Sequence, residues 1–138
     1  MSFEFTTEVR IRYDDFDTYG HVNNARYGTY LEEARIDYLA DVVGDGDRTV
    51  LTGSETGIVV ANLELSFEQP VSATDSVTVG VRVPDLGTTS APIEYEMRDD
   101  GRVAATGETT VVTYDPEARE PRPIPDAWRA AIREFEGL

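Results

Sequence analysis

Between residues 24 and 68 the apolar residues change rhythm, and few folds accommodate that change. Tyr27, Tyr30, Leu31, Ala34, Tyr38, Leu39 and Val42 recur at helical spacing, with Glu32, Glu33, Arg35, Asp37 and Asp41 elsewhere, which predicts one long amphipathic helix over residues 24–43. Beyond it the period falls to two. Val59, Ala61, Leu63, Leu65 and Phe67 occupy one set of alternate positions and Asn62, Glu64, Ser66 and Glu68 the other, as in a long half-buried strand. Three more strands are expected over residues 76–83, 91–98 and 102–114, the last two joined by a tight Asp100-Gly101 turn. A first strand is expected within residues 4–13, from Phe5, Val9, Ile11 and Tyr13. After Pro116, Pro121, Pro123 and Pro125, the spacing of Trp128, Ile132 and Phe135 predicts a short C-terminal helix. Strand, helix, then four strands is an α+β order: an antiparallel five-stranded sheet with one long helix on one face.

With 138 residues the chain has room for one core, so residues 1–138 are read as a single domain. No cysteine is present, which excludes disulfides, thiolate zinc sites and a cysteine nucleophile. No basic, apolar leader opens the chain and no run approaches membrane-spanning length, so a soluble, cytoplasmic protein is expected. The formal net charge is −15, and all 12 basic residues are arginine. Such a surface argues against nucleic acid and anionic membranes as partners, because phosphate binding needs clustered basic groups. Acidic excess without lysine is similar to proteins of salt-accumulating archaea, where molar salt shortens the screening length to roughly 3 Å. A halophilic protein is therefore expected, with a merely acidic mesophilic domain as the alternative.

The chemistry is expected in the turn that enters the long helix, Tyr13-Asp-Asp-Phe-Asp-Thr-Tyr-Gly-His-Val-Asn-Asn-Ala-Arg-Tyr27. Asn23 is a favourable N-cap, leaving the N–H groups of residues 24–26 at the first turn. A carboxylate at Asp17 near those donors would join a base to an oxyanion site. Singly, Asp and Asn before a helix are ordinary capping and turn residues. Asp14 and Asp15 are read as either raising the pKa of Asp17 by repulsion or merely solvating the loop. A lone histidine, His21, is read as supporting the turn rather than as the base.

Asp15-Phe-Asp17-Thr-Tyr-Gly20-His21-Val22-Asn23-Asn24-Ala25-Arg26-Tyr27, followed by Leu31-Glu-Glu-Ala-Arg35, resembles the hotdog-fold acyl-CoA thioesterases of the 4-hydroxybenzoyl-CoA thioesterase-like group. The order and lengths of the later elements extend the resemblance over essentially the whole chain. It implies a hotdog fold, in which a curved antiparallel sheet wraps one long helix. It also implies dimers whose sheets join edge to edge, often tetramers, with active sites at the subunit interface. In the family the second aspartate of the Asp-x-Asp turn is the catalytic carboxylate, which falls on Asp17. The N–H that polarises the thioester carbonyl falls on Asn24. Gly20, His21, Val22 and Asn23 complete the turn, with His21 and Asn23 either touching substrate or only holding the loop. No coenzyme A motif carries over; Arg82, Arg98 and Arg102 are candidates by elimination.

Asp17 would act as general base toward water or attack directly to give a mixed anhydride, the general base being favoured slightly. No cofactor or metal is expected. Asp15, Asp17 and His21 form a weak ligand set, and Asp45-Gly46-Asp47 lacks the later ligands of a calcium loop. Gly53-Ser54-Glu55-Thr56-Gly57 is not a nucleophile elbow. The cluster Phe16, Tyr19, Tyr27 and Tyr30 reads as core, part of which would line an acyl site. The expected activity is hydrolysis of an acyl-CoA to a free acid and coenzyme A. The alternatives are an acyl carrier protein thioester as substrate, or a catalytically silent acyl-CoA-binding dimer.

Overall fold

A computed structural model describes residues 3–44, 46, 56–73 and 75–138. The expected turn at 45–47 and the segment 53–57 lie mostly outside these residues. Among the described residues the elements are β1 (Phe5–Arg10), α1 (Tyr27–Val42), β2 (Gly57–Phe67), β3 (Ser76–Arg82), β4 (Ser90–Asp99), β5 (Arg102–Asp115), β6 (Glu120–Pro121) and α2 (Asp126–Glu136). One antiparallel sheet runs in the order β1-β3-β4-β5-β2, with the two-residue β6 paired to the end of β5. It curls around α1, giving the hotdog arrangement.

The buried stripe of α1 is Tyr27, Tyr30, Leu31, Ala34, Tyr38, Leu39 and Ala40, so the helical periodicity reports the core face directly. This stripe meets Val77, Val79 and Val81 of β3 and Ile93, Tyr95 and Met97 of β4 in one core. Gly107 makes room for the tip of Leu31. A Cβ there would lie 2.8 Å from Leu31 Cδ1 and 3.2 Å from the Glu64 carbonyl oxygen, so the leucine tip would have to shift. At the far end α2 closes the core with Trp128 and Ile132. Its Glu136 carboxylate accepts from Tyr38 Oη at 2.6 Å and from the Val83 N–H at 2.9 Å, tying both helices and the sheet together.

The β4–β5 hairpin turns at Asp100 and Gly101, which have φ of 52° and 80° as a two-residue turn with both centres left-handed requires. The first strand is shorter than expected, ending at Arg10, because Tyr13–Asp15 forms a 3-10 turn whose Asp15 N–H donates to the Arg12 carbonyl.

The second strand departs further. It is not half-buried: β2 lies at the sheet edge, and Val59, Val60, Leu63 and Phe67 are between 43% and 49% exposed. Nor do its alternate apolar residues share a face. The pairing with β5 shifts between Val60 and Asn62, leaving Ala61 as an extra residue. Val60, Leu63, Leu65 and Phe67 therefore register on the helix-facing side, opposite Val111, Thr109, Gly107 and Ala105, whereas Val59 opposes Val112 on the outer side.

Candidate active site

The turn is built from short backbone bonds. Asp17 N–H donates to the His21 carbonyl at 2.8 Å, and Gly20 N–H returns to the Asp17 carbonyl at 3.2 Å. Gly20 takes φ of +81°, a conformation glycine supplies without strain. Asp17 Oδ1 accepts the N–H groups of Tyr19 at 2.8 Å and His21 at 3.3 Å, the self-bonding for which aspartate is favoured in turns. One oxygen thus fixes the rotamer, and the other accepts no hydrogen bond among the described residues.

From Val22 the chain is pinned to the body. Val22 is buried, bridges to Phe16 and donates its N–H to the Val71 carbonyl at 3.1 Å. Asn23 caps as expected, its Oδ1 accepting from Ala25 N–H at 3.0 Å. The helix enters through a 3-10 turn at Asn24–Arg26 before the α-helix starts at Tyr27. Every donor around this start except one is spent. Asn23 N–H goes to the Asp15 carbonyl, Ala25 N–H to the cap, Arg26 N–H to the Asn23 carbonyl and Tyr27 N–H to the Asn24 carbonyl. Only the Asn24 N–H has no acceptor among the described residues.

Asp17, His21, Val22, Asn24 and Tyr27 line one wall of a cleft of about 320 Å³, and Phe67, Glu68, Gln69 and Pro70 line the other. Of the expected residues, Gly20 and Asn23 shape the turn outside this lining. The opposite wall was not legible in the sequence; it exists because Phe67 stacks edge-on against Tyr27, with centroids 5.1 Å apart. Tyr19 contradicts the core reading, being 84% exposed at the tip of the turn.

Asp15 departs most from expectation. It does not solvate the loop; it is 4% exposed. Its Oδ2 accepts from Tyr30 Oη at 2.6 Å and from Arg12 N–H at 2.9 Å, and Oδ1 lies 3.5 Å from Arg26 Nε. Burial pushes this carboxyl up, but the Tyr30 and Arg12 hydrogen bonds and the Arg26 and Arg12 charges outweigh it and hold it below the usual carboxylate range. Burial and the same partner drive the Tyr30 phenol strongly up. Because Asp15 is committed to these groups, it does not converge with Asp17 and His21, and no three metal-ligating side chains cluster among the described residues.

None of the three arginine candidates lines the cleft. Arg82 pairs with Glu94, Arg98 pairs with Glu96 at 2.7 Å, and Arg102 stands at the β4–β5 turn beside Asp99 and Asp100.

Residues 11–132 match the family model of the thioesterase-like superfamily. The long-chain acyl-CoA thioesterase FadM of Escherichia coli strain K12 is 30% identical over 111 residues, covering 79% of this chain and 82% of FadM. A thioesterase from Thermus thermophilus, whose crystal structure holds coenzyme A and zinc, superposes with a TM-score of 0.82 at 34% identity, over 99% of this chain and 97% of that one. The PA2801 protein of Pseudomonas aeruginosa superposes with a TM-score of 0.80 at 30% identity, over 95% and 99% of the two chains. Motif, topology and sequence agree, and the chain belongs to the thioesterase-like superfamily.

Proposed function

We propose that this protein is an acyl-CoA thioesterase in which Asp17 and the Asn24 N–H act on the two sides of the reacting carbonyl. One observation carries the reading: the turn's uncommitted carboxylate oxygen and the helix start's only unspent donor belong to residues lining the same cleft. With the thioester carbonyl oxygen on the Asn24 N–H, the helix dipole and that donor stabilise the oxyanion of the tetrahedral intermediate. Asp17 Oδ2 takes a proton from water as its oxygen bonds to the acyl carbon. Collapse then breaks the C–S bond, and the departing thiolate recovers the proton. Such a base contributes roughly 10²–10⁴-fold, and one oxyanion donor about 3–4 kcal/mol.

The test is release of free thiol from a panel of acyl-CoA substrates at molar salt. Asp17→Asn should collapse turnover while the protein stays folded. Unchanged turnover would remove Asp17 from its role, and inactivity of the native protein on every thioester would favour a binding dimer. One turnover in ¹⁸O-water separates base from nucleophile, since label entering the Asp17 carboxylate would establish direct attack.

We further propose a homodimer joined along β2, as the resemblance implies. Support comes from an edge strand on which Val59, Val60, Leu63 and Phe67 are partly exposed, the last of them lining the cleft. Leu63→Glu should lower the mass seen by light scattering to that of one chain; an unchanged dimer would place the contact elsewhere.

A further inference from the structure

The buried carboxylate of Asp15 has no part in the chemistry proposed above, yet its partners lie at both ends of the turn that carries the two groups that do. It is two residues before Asp17, and its partners lie on both sides of the turn: Arg12 before it, Arg26 in the 3-10 entry and Tyr30 in the first turn of α1. Its main chain acts too, because the Asp15 carbonyl accepts the Asn23 N–H at 2.7 Å.

We propose that Asp15 and Tyr30 form a positioning clamp that sets the distance between Asp17 and the Asn24 N–H and selects that N–H as the donor. Two features support this beyond simple stabilisation. The Asp15 carbonyl occupies the N–H immediately before Asn24, so the free donor is displaced to position 24 and only one remains. The Tyr30 phenol, 0% exposed and held at 2.6 Å, fixes the first turn of the helix to the loop rather than to the sheet. A rigid bond between loop and helix is what holds two such groups in register, and displacements near 1 Å cost about 10²-fold in rate.

The inference rests on the thioesterase reading, and the experiment separates the two. Asp15→Asn, Tyr30→Phe, Asp17→Asn and the Tyr30→Phe/Asp17→Asn double variant are compared by kcat, KM and thermal unfolding. Tyr30→Phe leaves Asp15 its Arg12 N–H and its Arg26 partner, so it is the milder change and keeps the test open if Asp15→Asn does not fold.

With Asp17→Asn inactive, the clamp predicts that Tyr30→Phe lowers kcat about tenfold or more, leaves KM within about twofold, and lowers the residual rate of the Asp17→Asn protein no further. A wild-type kcat in folded Tyr30→Phe, a loss falling on KM, or a full additional loss in the double variant would overturn it, because each marks a merely structural hydroxyl. If Asp17→Asn retains full turnover, the thioesterase assignment of Asp17 fails first and the clamp fails with it.

Discussion

Removing the charge of Glu108 should stabilise the protein at low salt and do almost nothing at high salt. Glu64, Glu108 and Glu94 stand directly opposite one another on β2, β5 and β4, on the outer face of the sheet. Directly opposed side chains have Cβ atoms about 5 Å apart, and like charges so placed each destabilise by ~0.2–1 kcal/mol. One of the two repulsions is relieved, because Arg82 of β3 opposes Glu94 and donates to it through Nε at 3.0 Å. Glu64 is exposed and has no such partner among the described residues of its own chain, in which β2 is the last strand of the sheet. Glu108→Gln should therefore gain about 0.5–1 kcal/mol where the screening length is ~30 Å, near 0.01 M salt. At 1 M the screening length of ~3 Å is shorter than the strand spacing, and the gain should fall to near zero. Urea unfolding, which adds no ions, followed by circular dichroism at both salt concentrations and one protein concentration, measures both values. An equal gain at both concentrations would refute the electrostatic account, and no gain at low salt would refute the importance of the row.

Other outcomes follow from the same structure. Unfolding free energy should fall as pH drops below about 4, because Asp15 is ionised more readily folded than unfolded: its contribution is present above the unfolded value and lost through the lower folded one. Asp15→Asn should flatten that acid limb while lowering stability at neutral pH by ~1–3 kcal/mol, both visible in denaturant titrations. At the alkaline end Tyr30 and Tyr38 are raised, so their stabilisation is complete below about pH 10 and is lost as pH rises further; Tyr38→Phe should shift that limb in a thermal-melt series. Gly107→Ala should cost about 1–3 kcal/mol by pushing Leu31 off the sheet, read from the urea midpoint. Activity should rise with ionic strength, since a −15 chain repels the phosphates of coenzyme A; a steady fall with added salt would oppose this.

The sequence made the core-facing side of α1 legible because periodicity reports burial, and the Asn23 cap and Asp100-Gly101 turn because each has local backbone causes. The clamp was hidden for the opposite reason. Whether Asp15 faces water or Tyr30 depends on a contact 15 positions away, and carboxylates before a helix ordinarily face water. The second wall of the cleft lies 40 or more residues from the motif, and nothing in Phe67-Glu-Gln-Pro70 announces a pocket. Alternation in β2 misled because one residue, Ala61, is not counted by the pairing.

That uncounted residue works as a phase inverter. Upstream of it Ile58 and Val60 point under the helix; downstream Leu63, Leu65 and Phe67 do, and no uninterrupted ladder could turn both groups inward. Deleting Ala61 would leave every pairing in place, with Val60 opposite Val111 and Asn62 opposite Thr110, and the strand regular. A ladder that instead kept Ala61 and paired it, with the Leu63–Phe67 half still seated by the cleft, would turn Ile58 into water and put Val59 beneath the helix.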